Sequence, residues 1–166
     1  MAKTITRGLV TIKAGAIAAD GGMGTSLAQY GDTVADSCTV TVDDPETTEF
    51  LIEESDLPID SSVKSGKTVI QWQVANPDAD TLVKFAGGTK TAGPPELWEA
   101  PSTMPAIELS LEITPTKGYK LEIPRASIVA KYDGAYSKKE LKVLTVKATI
   151  LAPTKSGVAP MKLTAI

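Results

Sequence analysis

Several short patterns in this chain carry residue types that could do chemistry. Gly66-Lys67-Thr68 matches the end of a phosphate-cradling loop. That loop also needs a glycine five positions earlier, where Ser61 stands, and a helix afterwards to aim backbone N–H groups at the phosphate. Asn76-Pro77-Asp78-Ala79-Asp80 has the first ligand spacings of a calcium loop, but Thr81 occupies its turn glycine and Gly87 its bidentate acid. Helix capping explains the same acids. Ser61-Ser62-Val63-Lys64 has the Ser-x-x-Lys spacing of serine acyl enzymes without their partner motifs, and reads as solvated loop. Asp43-Asp44 and Glu53-Glu54 could be paired acids for hydrolysis, yet charges at strand ends ordinarily keep sheet edges soluble. Gly21-Gly22-Met23-Gly24 lacks the strand and helix of a dinucleotide fingerprint.

The chain has no histidine, which removes the usual general base, the Ser-His and Cys-His pairs and the commonest metal ligand. Its one cysteine, Cys38, stands in phase with Val40 and Val42 and reads as an inward-facing strand residue. No catalytic, cofactor-binding or metal-ligating residue is assigned, and the chain is not expected to be an enzyme. The net charge of −3 argues against a nucleic-acid grip. The N-terminus lacks the apolar core of a secretory signal, and Ala14–Ala19 is too short to span a bilayer, so a cytoplasmic site of synthesis and assembly is expected, without a membrane partner.

The elements that would position any site are mostly strands. Ile107 to Thr114 alternates strictly, with Ile107, Leu109, Leu111 and Ile113 on one face. Tyr119, Leu121 and Ile123 form a second run ending at Pro124. Ile128, Ala130 and Tyr132 form a third, and Leu144, Val146, Ala148 and Ile150 a fourth. Earlier strands are expected at Ile5–Lys13 and at Thr68–Val74, and a hairpin over Cys38–Glu53 with its turn at Asp43-Asp44-Pro45. Glu54 to Lys67 reads as a polar connection. One helix is expected over about 76–87, capped by Asn76, with Ala79, Leu82, Val83 and Ala86 inward, Phe85 at the edge of that face, and Gly87-Gly88 as its stop. The whole chain, 1–166, reads as one mainly β domain, an antiparallel β-sandwich or partial barrel with a single packing helix. It carries a long small-residue loop over 14–36, expected to order against a neighbouring subunit, and a Pro-rich loop over 89–105 pinned by Trp98. The tail after Pro153 reads as a short arm.

This order of elements resembles the tail tube (major tail) proteins of long-tailed bacteriophages, and the related tube proteins of contractile injection systems. The resemblance is carried by the hairpin Cys38–Glu53, by Thr68–Val74 running into the helix Pro77–Ala86, and by three closing segments, Ile123–Ile128, Ser137–Leu141 and Val146–Pro153. It implies a virion structural protein whose copies join edge to edge in a ring, usually of six, and stack into a tube that DNA traverses as passing cargo. Its partners would be itself and other tail proteins, and its place the tail of a virion assembled in the host bacterial cytoplasm. The competing expectation is a β-sandwich binding module, an adhesin or carbohydrate-binding domain. Such modules display exposed aromatics, and here Trp72 falls in the apolar phase of a strand, leaving Trp98 and a few tyrosines.

Overall fold

The computed structural model describes residues 3–166. In chain order the strands are β1 (Thr11–Gly15), β2 (Ala28–Gln29), β3 (Thr39–Val42), β4 (Glu46–Ile52), β5 (Ser55–Lys64) and β6 (Thr68–Val74). The helix α1 (Ala79–Ala86) follows, then β7 (Thr89–Thr91), β8 (Leu97–Glu99), β9 (Ile107–Thr114), β10 (Tyr119–Asp133), β11 (Val143–Ile150) and β12 (Lys162–Ala165). The fold is mainly β and antiparallel with one helix, and it does not close into a barrel.

One sheet runs β2-β1-β9-β10-β11-β6-β3, with β12 also on β10. The 15-residue β10 organises it. Pro124 does not end this strand, as its ring would suggest, but sits in a bulge where the pairing with β9 slips between Ile123 and Ala126. The slip moves the buried phase from Leu121 and Ile123 to Ala126, Ile128 and Ala130, which is why the sequence shows two runs out of step. On its other side, β10 pairs β12 before the bulge and β11 after it. The sheet thus divides at Pro124 into two leaves. Leaf one is β2, β1, β9, the first half of β10, and β12. Leaf two is the second half of β10, β11, β6 and β3.

The bulge keeps its polar groups satisfied. The buried Ser110 hydroxyl donates to the Pro124 carbonyl at 2.6 Å and accepts from the Gly24 N–H at 2.9 Å. Inward side chains of both leaves, among them Ile70, Trp72, Leu111, Ile123, Leu144 and Val146, form one core with Leu82 and Phe85 of α1. Phe85 meets Trp72 and Tyr30 edge to face, at centroid distances of 5.8 and 5.6 Å.

Several expected boundaries move. The first strand is Thr11–Gly15; Arg7 makes only an isolated bridge to Lys117. The helix cap is Asp78, whose carboxylate accepts from the Thr81 N–H and hydroxyl, holding its pKa below the usual carboxylate range. Asn76 instead exchanges hydrogen bonds with Asp32, and Phe85 rather than Val83 is buried. The segment 14–36 packs on its own chain. It begins in β1, contributes β2 and a bridge from Thr33 to Val74, and is held by the Gly24–Ser110 bond and by Lys155 on Asp20. The loop 89–105 contains the small hairpin β7–β8, anchored as expected by Trp98, whose indole N–H donates to the Gly87 carbonyl at 2.9 Å. The tail is not a free arm, because β12 pairs with β10.

Candidate functional site

The residues with catalytic spacing do not converge. Ser61 and Lys64 lie on β5 three positions apart, so they point to opposite faces of an exposed strand. The pairs Asp43-Asp44 and Glu53-Glu54 flank opposite ends of β4. Among the described residues, no group of three His, Cys, Asp or Glu side chains could hold a metal ion. Gly66 is needed for packing: a side chain there would meet the Asp43 carbonyl at 1.9 Å, and the strand β6 follows it instead of a helix. Cys38 is half-buried against the core, and burial pushes its thiol pKa up, the opposite of an activated nucleophile. It does not share its environment with Val40 and Val42, which are exposed.

What the molecule presents instead is backbone edge and apolar surface. The expected hairpin Cys38–Glu53 forms differently. β3 does not turn back onto β4; it pairs with β6, while β4 pairs with β5. The two ribbons share one register. Val42 opposes Thr68, the Asp43 N–H donates to the Lys67 carbonyl, and four residues further along each strand Glu46 opposes Lys64. A single two-stranded ribbon therefore leaves the Thr68 end of leaf two and turns at Glu53-Glu54. Its outer part, β4–β5, forms a separate two-stranded sheet. At about 3.3 Å per residue, the seven residues of β4 reach about 23 Å from the body.

This arm is exposed along nearly its whole length. Phe50, Leu51, Ile52, Leu57, Ile59 and Val63 are all solvent-facing, Leu57 at 74%. An isolated hairpin of this kind is at best marginally stable in water, and large exposed apolar patches mark contact sites. The arm is also acidic. Of the chain's 20 acidic and 17 basic side chains, eight and one fall between Asp43 and Lys64, leaving twelve and sixteen for the rest. The period-two signal that marks β5 is Leu57, Ile59 and Val63 alternating with Asp56, Pro58, Asp60 and Ser62. The surrounding polar residues obscured it.

Leaf two is open on both sides. β3 ends the sheet on one side, and β9 leaves β10 at Ile128, so Val129–Asp133 lacks a strand on its β9 side. Where β12 and β3 fail to meet, an open groove of about 760 Å³ remains, lined by Leu9, Val34, Val40, Ile113, Leu121 and Leu163. Its one aromatic lining residue is Tyr119. Trp72 is buried, and Trp98 is half-buried with its indole N–H donated to the Gly87 carbonyl. No helix among the described residues is long and apolar enough to cross a membrane.

Comparison with known protein families and with curated proteins finds no match to this chain.

Proposed function

We propose that this chain is a structural subunit whose copies assemble into stacked rings forming a tube, in the manner of the tail tube proteins it resembles. The observation that carries the reading is the arm β4–β5. It is a ribbon with apolar side chains on both faces and, among the described residues, no element packed against it. The open edges of leaf two add to it. Joining the β3 edge of one copy to the Val129–Asp133 edge of the next is a heterologous contact, and such a contact removes open edges when the rotation closes a ring. In this reading six copies make a ring, other tail proteins are the further partners, DNA is cargo in transit, and the tube belongs to a virion tail assembled in a bacterial host.

Electron microscopy of the concentrated full chain tests this. Rings or tubes are expected. In a shortened variant, Thr48 is joined to Ser62 through Asn-Gly in place of 49–61, which suits a tight two-residue turn. It should fold with an unchanged body and form no tubes. A wild-type chain that stays monomeric at all concentrations and binds a glycan in the groove would instead favour the binding-module reading, for which the groove is the supporting observation.

A further inference from the structure

The arm leaves leaf two at the Thr68 end of β6. The connection between β10 and β11 lies at the other end, because Leu144 pairs with Val74 and Thr149 with Val69. This opposite connection has the complementary character. From Lys131 to Lys142 it holds four lysines, Lys131, Lys138, Lys139 and Lys142, against Asp133 and Glu140. None of these six side chains forms an ion pair among the described residues, and neither does any carboxylate from Asp43 to Asp60. The loop also offers apolar surface. Tyr136 is 89% exposed, Leu141 and Tyr132 are exposed, and Lys142 lies over both tyrosine rings at 4.1 and 4.8 Å. One end of leaf two is thus an acidic apolar projection, and the other a basic aromatic loop.

We infer that the arm of one copy docks on the 131–142 loop of the next copy, with Glu53, Glu54 and Asp56 at its turn facing Lys138, Lys139 and Lys142. The inference rests on the self-assembly reading and names the surfaces that stack one ring on another. The contact is head to tail and repeats along an axis, since the copy that gives its arm keeps a free loop and the copy that gives its loop keeps a free arm. Charge steers and registers the contact, while Phe50, Leu51 and Ile59 supply apolar area to the tyrosine-bearing loop.

Charge reversal tests it on the full chain. The arm variant is Glu53→Lys, Glu54→Lys, Asp56→Lys; the loop variant is Lys138→Glu, Lys139→Glu, Lys142→Glu. Five of the six residues are exposed and Lys142 is half-buried at the surface, so circular dichroism should match wild type. Each variant alone should give rings without tubes by electron microscopy. An equimolar mixture should restore tubes of alternating rings, since each arm then meets a loop of opposite sign. Raising NaCl from 50 mM to 1 M should weaken wild-type stacking at least tenfold. Tubes that persist in both single variants, or a mixture that fails to recover them, would overturn this inference while leaving ring assembly intact. A wild-type chain that forms neither rings nor tubes would defeat the assembly reading itself.

Discussion

On the outward face of leaf one, charge is locked into a ladder. Lys13 opposes Glu112, Glu112 opposes Glu122, and Glu122 opposes Lys162 across four strands. Two carboxylates directly opposite would repel, but Lys120 reaches both, at 3.2 and 3.3 Å, and Thr164 donates to Glu122 at 3.0 Å. The arm that continues leaf two shows the contrary pattern, with carboxylates in no ion pair among the described residues and apolar side chains exposed. Both surfaces belong to one chain with one core. Leaf one therefore meets its charged partners within the subunit, whereas leaf two and its arm leave theirs open, as the proposed assembly requires. Composition hides this, because a net charge of −3 averages an acidic arm against a basic body.

The comparison fails if the leaves do not share one folding unit. Trp72, inward from β6 and against Phe85, belongs to the cluster that also holds Leu111 and Ile113 of leaf one. Trp72→Ala should cost about 3–5 kcal/mol, the largest effect on stability. Urea unfolding followed by far-UV circular dichroism should remain a single transition. Two separated transitions would mean that the leaves fold independently. A smaller effect is expected at the joint between them. Ser110→Ala leaves the Gly24 N–H and the Pro124 carbonyl without their buried partner and should cost about 1–3 kcal/mol. Hydrogen exchange should show the Gly24 amide losing protection first.

Much of the shared core was legible in sequence. The strict alternation in β6, β9 and β11 gave their faces, and the bounds Thr68–Val74 and Ile107–Thr114 stand as expected. The phase change around Pro124 was also visible, but it looked like a strand break. A proline normally ends a ladder, and only the paired strand reveals a bulge that keeps Ser110 as its partner. The arm was half legible. Thr48, Phe50 and Ile52 mark β4, but residue types favour a turn at Asp43-Asp44-Pro45, where the ribbon instead runs on. The shared register of β3 with β6 and of β4 with β5 is a long-range property that local turn chemistry does not encode. The order within the segment 14–36 is not legible in sequence for a similar reason. Its small residues carry no period, and they order through contacts such as Gly24 with Ser110, which lie far apart in sequence.

A finer test asks whether the ladder of leaf one is cooperative. Lys120→Met removes the cation between Glu112 and Glu122 and should cost about 1 kcal/mol or less, since all three side chains remain partly exposed. Adding Glu112→Gln should recover most of that loss, because the opposed carboxylates are then one. A double-mutant cycle with additive costs would show that Lys120 packs without mediating between them.

The smallest effect on folding should come from the most conspicuous side chains. Leu51→Ser with Ile59→Ser takes apolar surface off the arm, but that surface is already exposed in the isolated subunit, so no buried area is lost. Unfolding of the monomeric chain should therefore shift by less than about 0.5 kcal/mol, as for surface positions generally. Assembly should respond in the opposite sense, because the same two side chains would be buried only between copies. Sedimentation of this variant beside Trp72→Ala separates the two roles. The core variant should lose stability, and the arm variant only association. If Leu51→Ser with Ile59→Ser instead unfolded the chain, the arm would be packed against its own body in solution, and the contrast between a finished leaf and an unfinished one would disappear.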